Sequence, residues 1–231
     1  MRRFKYPRAR VNDVGKDFER ERRLLVARLE EWEYVKSPAV KAAFLKVPRE
    51  RFVPEDVRGS AYEDVPLPIG RGQTISAPSM IAIMLEEASL RPGESVLEIG
   101  AGSGYNAALL AELVGPDRVV SVERIPELAD LARANLGGCG YRVEVVVGDG
   151  TMGYPPRAPC DCVFATAGAP RIPKPWMEQT KVGGRIVAPI GRSRLNQVLV
   201  TARRVSDAKW DIREGIACAF VPMIGAEGWR P

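Results

Sequence analysis

Glu98-Ile99-Gly100-Ala101-Gly102-Ser103-Gly104-Tyr105 decides how the rest of the chain is read. Ahead of the loop, Ser95-Val96-Leu97-Glu98-Ile99 is a short apolar run of strand type, preceded by the turn signal Arg91-Pro92-Gly93-Glu94. Behind it, Tyr105 to Val114 reads as a helix. Gly100 and Gly102 allow a tight turn, and Gly104 lets the backbone approach a ligand closely. A dinucleotide fingerprint counted from Gly100 needs glycine or alanine at position 105, where this chain has Tyr105. The spacing is G-x-G-x-G instead, and Glu98 stands just before it. An acid there repels a diphosphate but suits the positively charged amino end of S-adenosylmethionine, so the residues favour that cofactor over NAD.

Outward from the loop the same grammar repeats. Arg118-Val119-Val120-Ser121-Val122-Glu123 reads as a second strand, Pro126 to Leu136 as a helix ended by Gly137-Gly138, and Val143 to Val147 as a third strand closed by Gly148-Asp149-Gly150. Asp161 to Ala165 and Gly184 to Pro189 follow as strands, with Val198 to Arg203 and Ile216 to Val221 later. Strands alternating with helices predict an α/β chain, a doubly wound, mostly parallel sheet that binds ligands at the carboxyl ends of its strands. Glu123 is then placed to accept both hydrogen bonds of a ribose diol, and Asp149 to accept from an adenine amino group. Either acid alone also reads as a cap or a turn residue. Acids closing three successive strands beside a glycine loop are a stronger signal.

Upstream, Leu24, Leu25, Arg28, Leu29 and Trp32 put a helix over Asp17 to Val35, and Ser37 with Pro38 starts a second helix that stops before Pro48. Arg51 to Gly72, with Pro54, Pro66, Pro68, Gly59 and Gly70, reads as an irregular covering segment. Met80, Ile81, Met84 and Leu85 form a further amphipathic helix begun at Ser76-Ala77-Pro78. The expected organisation is an N-terminal helical and irregular addition over 1–72 and a cofactor-binding domain over 73–231.

With 231 residues and 45% hydrophobic content the chain can bury a full core, and 27% charged residues argue against wholesale disorder. No apolar run reaches membrane-spanning length, and the basic start Met1-Arg2-Arg3-Phe4-Lys5 lacks the apolar stretch of a secretory signal. Cys160 and Cys162 are too close for a zinc knuckle and there is no histidine, so Cys139, Cys160, Cys162 and Cys218 read as buried thiols in a reducing cytosol, with no metal. The net charge of +5 comes from Arg2, Arg3, Lys5, Arg8 and Arg10, soon balanced by Glu19, Glu21, Glu30, Glu31 and Glu33. The arm reads as solvated, with RNA binding a minority alternative. A cytoplasmic monomer without a membrane or nucleic-acid partner is expected.

Further segments carry a family resemblance: Gln73-Thr74-Ile75-Ser76-Ala77-Pro78-Ser79-Met80, Arg51-Phe52-Val53-Pro54, Ala61-Tyr62-Glu63-Asp64-Val65-Pro66-Leu67-Pro68-Ile69, Gly148-Asp149-Gly150, and Gly183-Gly184-Arg185 with Pro189-Ile190-Gly191. Together with the glycine loop they resemble protein-L-isoaspartate O-methyltransferases from about Ser37 to Gly228, the Thr-Ile-Ser-Ala-Pro run being the most specific. The resemblance implies a class I methyltransferase fold and Ser76 as the active-site serine. It implies a peptide channel lined by Tyr62, Asp64, Pro66, Leu67, Pro68, Ile69 and, from Ala219-Phe220-Val221-Pro222, Val221. The implied cofactor residues are Gln73, Thr74, Ile75, Ser79, Glu98, Gly100, Gly102, Ser103, Gly104, Tyr105, Asn106, Glu123, Arg124, Gly148, Asp149, Gly150, Thr166 and Ala167. Members often carry histidine at the position of Ser79 and tyrosine at that of Cys160.

By family chemistry, the partners are damaged proteins and peptides with L-isoaspartyl, and by extension D-aspartyl, residues. The methyl ester then cyclises to a succinimide, whose hydrolysis returns part of the material to aspartate. An α-carboxylate is ionised at pH 7, so no general base is required, and a chain without histidine can do this work. Ser76 would position one carboxylate oxygen; it can equally cap the helix that follows. The rivals are an RNA or small-molecule methyltransferase of the same fold, against which stands the absence of an Asn-Pro-Pro-Tyr-type signature, and a non-catalytic cofactor-binding protein.

Overall fold

Two helices begin where polar side chains accept backbone amides. Asp17 accepts from Arg20 N at 3.0 Å and starts α1 (Phe18–Glu31); Ser37 accepts from Val40 N at 3.3 Å and starts α2 (Pro38–Lys46). In the computed structural model, residues 16–194 and 196–230 are described, so Arg2, Arg3, Lys5, Arg8 and Arg10 lie outside the described residues. The amides of Tyr34 and Val35 both donate to Leu29 O, which ends α1 at Glu31, short of the expected Val35. The covering segment is more regular than its prolines predict. It holds two 3₁₀ turns, over Arg49–Phe52 and Glu55–Ser60, and a hairpin of β1 (Leu67–Gly70) and β2 (Gln73–Ile75).

The helix α3 (Pro78–Ala88) starts two residues after Ser76, and its cap comes from elsewhere: Asp64 Oδ1 accepts from Ser79 N at 2.8 Å. Then follow β3 (Val96–Ile99), α4 (Tyr105–Val114), β4 (Val119–Glu123), α5 (Pro126–Gly138), β5 (Glu144–Val147), β6 (Cys160–Ala165), α6 (Lys174–Gln179), β7 (Thr180–Ile190), β8 (Gln197–Arg204) and β9 (Trp210–Cys218). The sheet order is β5-β4-β3-β6-β7-β8-β9, with β5 through β7 parallel and β8 and β9 antiparallel additions. The expected doubly wound, mostly parallel sheet is thus present. Chain order reverses at β3, which has β4 on one side and β6 on the other, so a crevice opens at its carboxyl end. The last strand differs from expectation: it covers Trp210–Cys218, not Ile216 to Val221, because its pairing with β8 sets its bounds.

Two apolar layers flank the sheet. One joins Leu25, Leu29 and Phe44 of the N-terminal helices to Leu109 and Leu110 of α4. The other packs Leu97, Val163 and Ile186 against Trp176, whose indole N–H donates to Gly150 O at 2.8 Å. Cys160 and Cys162 are buried, and burial pushes their thiols up to about 11 and about 12; Cys139 and Cys218 are only half-buried, unlike the expected core thiols.

Candidate active site

The loop after β3 has the tight geometry its glycines foretell. Gly104 sits at φ +88°, and a Cβ there would lie 3.1 Å from both Ala132 O and Leu136 Cγ, so α4 can pack this close to α5 only with glycine. At Gly100 (φ +95°) a Cβ would come within 2.6 Å of the Thr166 hydroxyl, which donates to Gly100 O at 2.6 Å. Glu123, at the end of β4, accepts from Gly102 N and from Ile125 N, both at 3.0 Å. The acid therefore organises the loop besides facing the cavity.

Three connected hollows lie above the strand ends. The first is a partly open hollow with about 80 Å³ of free space. Its floor is Ile99, Gly100, Gly102 and Gly150, its walls are Glu123, Arg124, Ile125 and Leu128, and its cover is Ile69, Gln73, Ala167, Met223 and Ile224. The second is a cleft lined by Ile75, Ser76, Ser103, Tyr105, Asn106, Phe164 and Phe220. The third is a channel lined by Pro66, Ser76, Ala77, Met80, Ala219, Phe220 and Val221. Thr74 and Thr166 line all three, and Ser76 lines the second and third. Among the described residues, no charged one lines the cleft or the channel.

Several expected site residues lie elsewhere. Glu98 is fully buried beneath the loop, because strand alternation points it away from Ile99 and the cavity. It accepts from Asn106 Nδ2 at 2.8 Å and from the Ser121 hydroxyl, and burial raises its pKa to about 7. Asp149 accepts from Thr151 N at 2.9 Å, the Thr151 hydroxyl at 2.7 Å and Ala226 N at 2.8 Å, tying the C-terminal segment over the first cavity. Burial opposes its charge, but the Ala226 and Thr151 hydrogen bonds hold its pKa below the ordinary value. Tyr62 is buried and bonded to Glu50 and Arg22, so it fastens α1 to the covering segment and does not line the channel. Asp64 and Ser79 form the cap of α3. Leu67 is buried within the hairpin and Pro68 faces outward, on opposite faces of β1. Gly104 and Gly148 act through the backbone: Gly148 N donates to Glu123 O at 2.9 Å.

Other lining residues carry no local sequence signal: Leu128, Met223, Ile224, Phe164 and Met80. The arrangement offers a pocket with one acid, a neutral channel, and a hydroxyl-lined seam between them. It suits transfer of a small group between a nucleoside-bearing donor and an acceptor entering from the channel.

The family model described as protein-L-isoaspartate(D-aspartate) O-methyltransferase matches residues 20–228. The chain is 56% identical over 218 residues to the protein-L-isoaspartate O-methyltransferase of Methanopyrus kandleri, covering 93% of this chain and 96% of that protein. It is 52% identical to that of Hyperthermus butylicus, with 92% of each covered. A solved protein-L-isoaspartate O-methyltransferase superposes with a TM-score of 0.81 at 33% identity, over 90% of this chain and 67% of that one. A Plasmodium falciparum protein solved with S-adenosyl-L-homocysteine shares the fold, with a TM-score of 0.78 at 20% identity over 91% of this chain and 99% of that one.

Proposed function

The chain belongs to the protein-L-isoaspartate(D-aspartate) O-methyltransferase family, and from that premise we propose how its residues perform the transfer. The protein is a repair methyltransferase: it esterifies the free α-carboxylate of L-isoaspartyl residues in damaged proteins, with S-adenosylmethionine as donor. D-aspartyl residues are a second acceptor in this reading. The observation that carries the mechanism is the seam formed by Thr74 and Thr166, where the first cavity meets the channel that Ser76 lines.

The residues fit the donor. Gly100 leaves no room for a Cβ beside Thr166 and so keeps the loop close to the cavity, Glu123 offers a carboxylate on the wall, and Ile125 and Leu128 offer an apolar face. S-adenosylmethionine supplies a methyl group on a cationic sulfur that departs as a neutral thioether. Ser76 donates a hydrogen bond from its hydroxyl to one oxygen of the acceptor carboxylate and leaves the other free to attack. Thr74 and Thr166 hold the meeting point, so the chain's contribution is alignment and exclusion of water, not proton transfer. Of the N-terminal addition, the described residues 16–72 cover the described part of the domain of 73–231 and shape the channel through Pro66. Among the described residues no helix is long and apolar enough to cross a membrane. A cytoplasmic monomer completes the reading; the four unpaired thiols support its compartment.

The test is methyl transfer from labelled S-adenosylmethionine to matched isoaspartyl and aspartyl peptides, with transfer RNA as a third acceptor. Alkali-labile label on the isoaspartyl peptide alone is expected. Base-stable label on RNA with neither peptide modified would sink the assignment.

A further inference from the structure

Arg49 lies in the 3₁₀ turn after α2 with its side chain wholly buried. Nε donates to Ala61 O and Nη2 to Ser76 O, both at 2.9 Å, and the guanidinium lies 5.0 Å from the centre of the Tyr105 ring. Nη1 has no hydrogen-bond partner. Among the described residues no carboxylate forms a contact ion pair with it; Asp64, whose Oδ1 accepts from Ser79 N at 2.8 Å, acts on it only at longer range, and burial outweighs that charge and lowers the Arg49 pKa. The other buried arginine, Arg185, is neutralised by Glu94 at 2.5 Å. A buried cation without a carboxylate in contact is costly to keep, and holding two carbonyls does not require one.

Two of the three groups that Arg49 braces face the reaction space. Ser76 lines the cleft and the channel, and Tyr105 lines the cleft; among the described residues neither hollow has a charged one of its own. In a medium of low dielectric the field of a buried cation reaches across one layer of side chains. We propose that the acceptor carboxylate completes the counter-charge that Asp64 supplies only in part: the Arg49 guanidinium, set behind Ser76 and Tyr105, supplies the positive potential that draws an isoaspartyl α-carboxylate into a neutral channel, and it fixes Ser76 through its carbonyl.

This rests on the acceptor assignment above, and it makes Arg49 a positioning residue that does not touch substrate. The transfer neutralises the acceptor's negative charge. The cation therefore favours the bound carboxylate over the transition state, and its loss acts on KM more than on kcat. It acts in the opposite sense on the cationic donor.

The experiment compares wild type, Arg49→Lys and Arg49→Met. Calorimetry in the presence of S-adenosylhomocysteine gives Kd for an isoaspartyl peptide and for the same peptide with its α-carboxylate as a primary amide. S-adenosylmethionine binding is measured separately. Methylation of the isoaspartyl peptide and not its aspartyl twin by wild type is the control; its failure sinks the acceptor assignment, not the role of Arg49. Wild type is expected to prefer carboxylate over amide on the order of tenfold. Arg49→Lys keeps most of that preference. Arg49→Met loses it, raises KM for the peptide about tenfold with kcat little changed, and binds S-adenosylmethionine as well as wild type or better. A carboxylate preference retained in Arg49→Met overturns the proposal, as does an equal loss of affinity for both substrates. Should Arg49→Met fail to fold, the wild-type pair decides: equal binding of amide and carboxylate overturns it.

Discussion

Glu123 Oε2 accepts the amide of Gly102 at 3.0 Å while Oε1 accepts that of Ile125 at 3.0 Å, so one carboxylate ties the loop after β3 to the turn after β4. Because the same side chain lines the first cavity, its replacement disturbs loop and ligand together. Glu123→Gln removes a charged acceptor and turns an N–H toward one of these amides. S-adenosylmethionine affinity should fall roughly 10- to 100-fold, the range for losing a hydrogen bond to a charged group, as read by calorimetry. Unchanged affinity with lowered stability would make the acid purely architectural.

Gly104→Ala tests the approach of α4 to α5. A left-handed backbone with a methyl group 3.1 Å from Ala132 O and Leu136 Cγ should cost about 2–4 kcal/mol, visible as a lower urea midpoint at unchanged slope. A shift of a few tenths of a kcal/mol would mean that the loop relaxes freely.

Asp64 caps α3 from the covering segment. Asp64→Ala should lose about 1 kcal/mol of stability and lower kcat/KM for peptide, because the freed helix start is adjacent to Ser76 and carries Met80 of the channel wall. Asp64→Asn, which keeps the acceptor oxygen, should restore both. Activity equally low in the two variants would point to the charge instead.

Glu98 predicts a pH dependence. Burial raises its folded pKa from 4.5 to about 7, so its contribution to stability is fully present below 4.5 and is lost as pH rises through about 7. Glu98→Gln never ionises; its amide oxygen can accept from Asn106 while its NH₂ donates to the Ser121 hydroxyl. Relative to wild type, the variant should gain on the order of 1–3 kcal/mol between pH 5 and pH 8. Denaturant melts at the two pH values measure this, and a difference constant with pH would show Glu98 ionised throughout.

Local chemistry is legible in the sequence where a residue type has few alternatives. The start of α4 at Tyr105, the end of β4 at Glu123 and the cap at Ser37 follow from glycines, an acid and a Ser-Pro pair. α6 is illegible because Pro170, Pro173 and Pro175 advertise a loop, while the helix forms through burial of Trp176 against Gly150, a contact remote in sequence. β9 runs ahead of its apolar segment because β8 dictates its register, as in Arg204 opposite Trp210. Within the site, the loop glycines and Glu123 declare themselves. The inward burial of Glu98 and the engagement of Asp149 by Ala226 depend on which side of a strand or turn each faces and on what arrives from the far end of the chain. Arg49 looks like any arginine before a Phe-Val-Pro turn until its burial is seen.

The hydrogen bond from Ala226 to Asp149, with Met223 and Ile224 over the first cavity, has a temporal meaning. The donor pocket is floored by a loop near residue 100 and covered by residues made more than a hundred peptide bonds later. A nascent chain that has emerged only as far as β8 has its glycine loop but an uncovered cavity. In the proposed reading, competence to handle the donor therefore waits until residues 223–226 have been made and folded back, and a stalled or clipped chain missing them would be an inactive protein carrying an otherwise finished sheet.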